Sequence, residues 1–241
     1  MSGLIVCATQ RSGSTLLCEL LKATGVAGIP NEYFQHFKDS GLADQPRQYL
    51  AGVSDPAVLE LLPPLDPGVA EASFDFDAVR RAGTTPNGVF SAKIMWSHTP
   101  DLWRRLDGRT LEDVFGPLRY VQVIRRDKVA QAVSLWTAIQ TQAWRSGDTP
   151  VAEPVYSFAA IKHLVTWLSE GERGWTQWLR GRSPDVVVYE DFARDPGPTI
   201  EILAGVPAPA APLLRQSGSR SNGWTLRYEA ELGDTTRNAA A

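Results

Sequence analysis

The first 24 residues contain the pattern that most restricts the fold of this chain. An unbroken apolar run, GLIVCA at residues 3–8, precedes a short loop rich in Ser and Gly, and leucines follow at positions 16, 17, 20 and 21. An apolar run of this length predicts a strand that is covered on both faces, as in parallel sheets. The leucine spacing predicts a helix from residue 14 to 24, with Gly25 at its end. This strand–loop–helix order indicates an α/β fold.

Further short runs of apolar or β-branched residues at positions 89–94, 120–124 and 185–189 predict three more strands. The spacing of apolar residues predicts helices from about residue 127 towards 144 and from 157 to 179. Parallel strands need long crossover connections of this kind. The sequence therefore predicts an α/β, P-loop-like, three-layer fold with a central parallel sheet flanked by helices. We expect one domain over residues 1–241, with the Pro- and Gly-rich residues 28–72 as a substrate-binding insertion.

The composition excludes several classes of function. The chain holds 24 Lys and Arg against 27 Asp and Glu, a net charge of −3, so no basic field favours nucleic-acid binding. No apolar run reaches the roughly 18 residues that a membrane span needs. The two cysteines and three histidines predict neither a disulfide framework nor a metal site. Since no basic region precedes the first apolar run, we expect a cytoplasmic protein without a signal peptide.

The loop after the first strand predicts a binding site for a phosphate or sulfate group. Backbone N–H groups at such a turn, the dipole of the following helix and nearby hydroxyls all favour an anion. Against the nucleotide-binding pattern G-x-x-x-x-G-K-[ST], Gly13 and Thr15 agree, whereas Ala8 replaces the first Gly and Ser14 replaces the Lys. The missing Lys disfavours phosphoryl transfer, although a P-loop kinase stays the first alternative. The expected anion-binding residues are Arg11, Ser12, Gly13, Ser14 and Thr15.

A second candidate motif follows the predicted strand at residues 120–124. Arg126 stands just beyond its end, and Ser134 lies eight residues later. An Arg at a strand end and a Ser two helical turns further on can meet one phosphate, and the Arg fork matches a phosphate dianion. The two motifs together resemble those of sulfotransferases that use 3′-phosphoadenosine 5′-phosphosulfate (PAPS). That resemblance implies that the first loop holds the 5′-phosphosulfate and that Arg126 and Ser134 hold the 3′-phosphate.

Sequence blocks spread over nearly the whole chain extend this resemblance. They are ATQRSGSTLL, ATGVAG-x-P-x-E-[YF]-F-Q, TPNGVF-x-x-K-x-MW, RRDKVAQAVSLW and RQSGSRSNGW. The chain resembles the trehalose 2-sulfotransferase family of actinobacteria, in the PAPS-dependent superfamily. This implies metal-free transfer of a sulfuryl group to a carbohydrate hydroxyl, with position 2 of trehalose first among the acceptors, by a homodimer. Another glycosylated or hydroxylated metabolite, such as a glycolipid precursor, stays open as the acceptor. A module that binds a nucleotide or a sulfated glycan without catalysis is the remaining alternative.

By that resemblance, Glu32 is the general base. A carboxylate is ionised at neutral pH and can take the proton of a sugar hydroxyl as the bond to sulfur forms. The resemblance also implies that the insertion contacts a disaccharide and that an aromatic residue in it offers a stacking face. The residues expected to bind the acceptor are Gln10, Ile29, Pro30, Asn31, Glu32, Tyr33, Phe34, Gln35 and Tyr49.

Three of these positions differ from the family pattern. Ile29 stands where the family has an acidic residue, Asn31 where it has Gln, and Tyr49 where it has Trp. Loss of a carboxylate from a pocket for a polyol removes a strong hydrogen-bond acceptor, which can change the preferred acceptor molecule. The sequence therefore predicts a sulfotransferase more firmly than it predicts trehalose as the acceptor.

Four further polar residues are left without an assigned role. In many cytosolic sulfotransferases the base is a His close after a strand-end Lys, but the five-residue spacing of Lys93 and His98 does not match that pattern. Lys93 is an alternative substrate contact. Arg215 and Arg220 lie in a Gly/Ser-rich segment similar to the loop that closes over the nucleotide in this superfamily.

Overall fold

Strands and helices alternate along the chain in the computed structural model, which describes residues 3–35, 47–63, 75–145, 147–210 and 219–239. Two short 3-10 helices, Arg47–Leu50 and Trp96–His98, accompany the longer elements. The strands are β1 (Gly3–Ala8), β2 (Ser91–Met95), β3 (Leu118–Ile124) and β4 (Asp185–Val188). The helices are α1 (Ser14–Ala23), α2 (Pro56–Leu59), α3 (Phe76–Gly83), α4 (Thr99–Leu106), α5 (Leu111–Phe115), α6 (Lys128–Thr141), α7 (Phe158–Trp178), α8 (Tyr189–Phe192), α9 (Gly197–Ala204) and α10 (Ser219–Ala239).

The described strands form one parallel sheet in the order β2-β1-β3-β4. Val6 of β1 lies opposite Lys93 of β2 on one side and opposite Val121 of β3 on the other. The predicted α/β fold with a central parallel sheet is confirmed. Because the chain leaves β1 for β2 and then crosses to β3, the strand order reverses beside β1. Ligands of open α/β sheets bind outside the carboxyl ends of the strands at such a point.

Helices cover both faces of this sheet, as the three-layer prediction requires. Successive residues of β1 point to opposite faces. Leu4 and Val6 belong to the core that includes the leucines of α1, whereas Ile5 and Cys7 belong to the core with α4, α5 and the end of α7. Both cores lie in the first of two compact units. That unit comprises Met1–His36, Glu71–Arg126 and Glu170–Leu213.

The second compact unit has an apolar core of its own, formed by α6, the first part of α7 and α10. Trp136 of α6 is fully buried, and its Nε1 donates a hydrogen bond to the carbonyl oxygen of Val155 at 2.8 Å. Phe158 at the start of α7 stacks on Tyr228 of α10 with ring centroids 5.0 Å apart. The unit comprises Phe37–Ala70, Asp127–Ser169 and Leu214–Ala241.

Helix α10 is the main difference from the sequence prediction. The segment that contains Arg220 was expected to be a loop, but the helix begins at Ser219 and continues to Ala239. Trp224 and Tyr228, one helical turn apart, join the apolar core of the second unit. The prediction was wrong because a narrow stripe of two aromatic residues is hard to recognise in a polar stretch that contains glycine. Arg215 and the side chain of Arg220 lie outside the described residues.

Smaller differences concern element ends. β2 covers residues 91–95 rather than 89–94, and α6 ends at Thr141, before Trp144. Tyr189 begins α8 instead of ending β4. Of the predicted insertion at residues 28–72, positions 36–46 and 64–72 lie outside the described residues. The described remainder contains the short 3-10 helix Arg47–Leu50 and α2.

The two longest helices, α7 and α10, each have 21 residues and mix apolar with charged side chains. Neither they nor any other helix in the described part of the chain combines the length and hydropathy of a membrane span.

We expect the contact between α1 and the sheet to contribute strongly to stability. Leu20→Ala removes a fully buried side chain from this core and should lower the free energy of unfolding by about 2–5 kcal/mol, measured by urea denaturation. Ile202→Ala, at an exposed position of α9 in the same unit, is the matched control and should change it by less than about 0.5 kcal/mol. Equal effects of the two substitutions would contradict this packing.

Candidate active site

The carboxyl ends of β1 and β2 bring polar side chains from separate parts of the chain together. Gln10 lies two residues after β1, and its Nε2 donates a hydrogen bond to Oγ of Ser97, just after β2, at 2.7 Å. The ammonium of Lys93 on β2 lies 3.3 Å from Oγ1 of Thr15 at the start of α1. The parallel pairing of the two strands therefore places the loop after β1 beside the elements that follow β2.

An aromatic side chain and an arginine support the loop between β1 and α1. Arg11 and Gly13 have positive φ angles of 58° and 87°. A β-carbon at Gly13 would lie 2.1 Å from Cδ2 of Tyr189, so glycine is required both for its conformation and for space. The guanidinium of Arg125 lies 4.8 Å from the centre of the Tyr189 ring, and its Nη1 donates to the carbonyl oxygen of Arg11 at 3.1 Å. Residues after β3 and β4 thus support the loop after β1.

The same loop presents hydrogen-bond donors that suit an anion. α1 begins after Gly13 with no side-chain cap and no acidic residue in its first turn. Its free backbone N–H groups and positive dipole end therefore favour a negative charge. The hydroxyl of Ser12 is fully buried and has no hydrogen-bond partner among the described residues. A buried hydroxyl left in this state costs roughly 1–3 kcal/mol, which a bound anion would offset.

Hydrogen bonds fix the segment that carries Glu32 to the edge of β2. The backbone N–H of Lys93 donates to the carbonyl oxygen of Asn31 at 2.9 Å. The side-chain oxygen of Asn31 accepts from the backbone N–H of Glu32, also at 2.9 Å. The Tyr33 hydroxyl donates to the carbonyl oxygen of Ile29 at 2.8 Å. Of the predicted acceptor-binding segment, Pro30 and Phe34 are buried, Asn31 is exposed, and Ile29, Glu32, Tyr33 and Gln35 are partly exposed.

Glu32 and Lys93 form an ion pair inside this site. Glu32 Oε1 lies 2.7 Å from Lys93 Nζ, and the two side chains are 26% and 5% exposed. The ammonium of Lys93 also contacts the Thr15 hydroxyl. One cation therefore joins the candidate base to the candidate anion-binding loop. The sequence alone assigned no role to Lys93, although a Lys inside a mainly apolar strand signals a buried charge that needs a partner.

His98 belongs to the same group of side chains but carries no charge at neutral pH. Burial lowers the pKa of its ring to about 4, opposed by the Glu32 carboxylate and assisted by the Lys93 ammonium. Its Nδ1 atom is buried without a hydrogen-bond partner among the residues that the structure describes. The ring therefore adds no positive charge to that of Lys93 near pH 7.

Arg126, two residues after the end of β3, binds the carboxylate of Asp191 in α8. Its Nη1 and Nη2 donate to the two carboxylate oxygens of Asp191 at 3.2 and 2.6 Å. Both side chains are more than half exposed, so this ion pair contributes little to stability. The two-pronged geometry is the one with which arginine binds phosphate, and a phosphate would have to replace Asp191.

Two of the predicted site residues, Ser134 and Tyr49, belong to the second unit. Ser134 lies in α6, and Tyr49 lies in the short 3-10 helix Arg47–Leu50. The buried Tyr49 ring packs edge-on against Trp167 with centroids 5.5 Å apart, and lies 5.7 Å from the ring of Trp144. The structure thus places Tyr49 in an aromatic cluster of that unit.

The charged side chains that gather at the strand ends of the first unit include several cations. Arg11, Lys93, Arg125 and Arg126 all lie close to the carboxyl ends of β1, β2 or β3. Within the described ranges, no three His, Cys, Asp or Glu side chains come together in an arrangement that could hold a metal ion. A chain with a net charge of −3 therefore still concentrates positive charge at one sheet edge.

Comparison with protein families finds a match to the model described as Stf0 sulphotransferase, over residues 3–231. The trehalose 2-sulfotransferase of Mycobacterium tuberculosis is 41% identical over an alignment of 252 positions, which covers 94% of each chain. The trehalose 2-sulfotransferase of Mycolicibacterium smegmatis is 38% identical over an alignment of 248 positions, which covers 93% of each chain.

Solved structures show more distant similarity. A sulfotransferase domain from the olefin synthase of Synechococcus PCC 7002 aligns with a TM-score of 0.42 at 16% identity, over 92% of this chain and 80% of that one. A sulfotransferase from Mycobacterium avium aligns with a TM-score of 0.43 at 14% identity, over 95% and 68% of the two chains.

The pKa of His98 predicts a specific pH dependence of stability. Between about pH 6.5 and 4 the unfolded imidazole binds a proton that the folded ring does not, so the free energy of unfolding falls as the pH is lowered. His98→Gln removes this effect. Between pH 7 and pH 5, wild type should lose about 1–2 kcal/mol more than the variant, as measured by urea denaturation. Parallel losses in the two proteins would contradict the burial of a neutral ring.

Proposed function

This chain belongs to the Stf0 sulphotransferase family and is a sulfotransferase, and we propose that it transfers the sulfuryl group of PAPS to a carbohydrate hydroxyl, with position 2 of trehalose as the first candidate. The trehalose assignment rests on the two relatives of that activity, which match this chain over almost all of its length. As the sequence resemblance implies, we also propose that the protein works in the cytoplasm as a homodimer.

The buried Ser12 hydroxyl is the observation that carries this proposal. It lies in the loop after β1, just before a helix whose first turn has neither a side-chain cap nor an acidic residue. Such a site suits a phosphate or sulfate group, so its donor set fits the phosphosulfate of PAPS. When bound, PAPS supplies the activated sulfuryl group. The residues that would hold its 5′ end are Arg11, Ser12, Gly13, Ser14 and Thr15.

The 3′-phosphate is assigned to Arg126 and Ser134, following the second sequence motif. Arg126 supports this assignment because it already binds a carboxylate through two nitrogens, as it would bind two phosphate oxygens. Asp191 would then act as a temporary anion that keeps the guanidinium oriented until the nucleotide arrives. Ser134 is assigned by its sequence spacing from Arg126.

The acceptor is assigned to Gln10, Tyr49 and the segment of residues 29–35. Gln10 supports this assignment through its fixed position, since its Nε2 bonds to Ser97 at the edge where the loop after β1 lies. The exposed Asn31 and the partly exposed Glu32 offer polar groups to sugar hydroxyls. Because Ile29 cannot replace an acidic residue as a hydrogen-bond acceptor, a different disaccharide or a glycolipid precursor is the alternative acceptor.

Glu32 would act as the general base. Its backbone is fixed by Asn31, and its carboxylate is partly exposed, so it can reach an incoming hydroxyl. It would orient that hydroxyl by accepting its hydrogen bond and would take the proton as the oxygen bonds to sulfur. The loop donors would stabilise the negative charge that remains on the phosphate.

A screen of acceptors tests the proposed reaction. Purified protein incubated with PAPS should yield a sulfated disaccharide detectable by mass spectrometry, with trehalose the fastest of a panel of disaccharides and glycolipid headgroups. A sulfated product with another acceptor would keep the sulfotransferase assignment and replace trehalose. No sulfated product with any acceptor would contradict the assignment of PAPS as the donor.

Glu32→Gln tests the base, since the amide keeps the size of the side chain but cannot take a proton. We expect the turnover number to fall by about 10²–10⁴-fold while the affinity for adenosine 3′,5′-bisphosphate, measured by calorimetry, stays within about threefold. Glu201→Gln, at an exposed site on α9, is the matched control and should leave both unchanged. Equal losses of turnover and affinity in Glu32→Gln would show that Glu32 serves the structure instead.

A further inference from the structure

Lys93 links the two functional parts of the proposed site. Its Nζ lies 2.7 Å from Glu32 Oε1 and 3.3 Å from Thr15 Oγ1. The side chain is only 5% exposed, and the residue is held in β2 by pairing with β1. A buried ammonium is tolerated only where anions or strong acceptors surround it. The ammonium of Lys93 is therefore held between Glu32 and the loop after β1.

The loop after β1 has no lysine of its own at this place. Ser14 replaces the lysine that nucleotide-binding loops of the kinase type carry, and Thr15 is the next residue. β2 places an ammonium beside Thr15 from the neighbouring strand. Lys93 therefore supplies, from β2, the positive charge beside the first turn of α1 that a lysine supplies in the kinase-type loop.

We propose that Lys93 is a further catalytic residue of the sulfuryl transfer, which holds Glu32 as a carboxylate before the reaction and stabilises the phosphate oxygen that leaves. This inference rests on the proposed function of the site. As the acceptor oxygen bonds to sulfur, its proton passes to Glu32. The bond between sulfur and the phosphate oxygen breaks, and its electron pair stays on that oxygen.

The charge balance explains why one lysine serves both roles. At the start, the negative charge nearest to Lys93 is on Glu32. When Glu32 takes the proton it becomes neutral, so Lys93 loses its counter-ion at the moment when the leaving oxygen gains charge. A small movement of the ammonium towards the Thr15 side then pairs it with the new anion. A cation already in place needs little reorganisation, which is how fixed charges accelerate such reactions.

Binding of adenosine 3′,5′-bisphosphate, the product nucleotide, tests this role without turnover. Measured by isothermal titration calorimetry, Lys93→Met should weaken the affinity by about 10–100-fold, the usual effect of losing one charged hydrogen bond to phosphate. Glu32→Gln should leave the affinity unchanged or raise it, because it frees Lys93 for the phosphate. Lys22→Met, at an exposed site near the end of α1, is the matched control and should bind as wild type does.

The double variant Glu32→Gln/Lys93→Met guards against a folding defect, because it leaves no partly buried carboxylate without its partner. It should bind as weakly as Lys93→Met and keep the wild-type melting temperature within a few degrees. If a folded Lys93→Met or double variant bound the nucleotide as tightly as wild type does, the role of Lys93 would be overturned, while the proposed function would stand. Failure of the wild-type protein itself to bind the nucleotide would overturn the proposed function, and this inference with it.

Discussion

The parallel pairing of β1 with β2 on one side and β3 on the other is the constraint on which the proposed active site depends. It brings the carboxyl ends of three strands to one edge of the sheet, so residues far apart in the sequence meet there. Glu32 and Lys93 are one such pair, and Gln10 and Ser97 are another. A shift of β2 by one residue would turn Lys93 to the opposite face and break the ion pair with Glu32.

Support for the loop after β1 comes from residues that follow β3 and β4 rather than from the loop itself. Tyr189 leaves no room for a side chain at Gly13, and Arg125 lies over the Tyr189 ring while it bonds to the loop backbone. This arrangement keeps the backbone N–H groups at the start of α1 directed at one place. Preorganised donors of this kind stabilise a developing negative charge more effectively than mobile ones. Arg125 and Tyr189 therefore serve the fold and the proposed chemistry together, because they fix the loop that would bind the phosphate.

Local patterns in the sequence predicted the parts of the molecule that depend on local interactions. The bounds of β1 and the course of α1 and α7 follow from apolar spacing. The place of residues 11–15 between strand and helix is also a local pattern, and their binding of an anion stays a prediction. The ion pair of Lys93 with Glu32 depends on which strands are neighbours, which no local pattern reveals. Helix α10 was missed for a different reason, since its apolar face consists of little more than Trp224 and Tyr228.

A crystal structure with adenosine 3′,5′-bisphosphate bound would show whether the loop after β1 holds the 5′-phosphate. We expect the 5′-phosphate at the start of α1, with its oxygens within about 3 Å of the Ser12 hydroxyl and of the backbone N–H groups of residues 13–15. We also expect the guanidinium of Arg126 to have exchanged Asp191 for the 3′-phosphate. A 5′-phosphate bound away from this loop, with the Ser12 hydroxyl still without a partner, would contradict the proposed site.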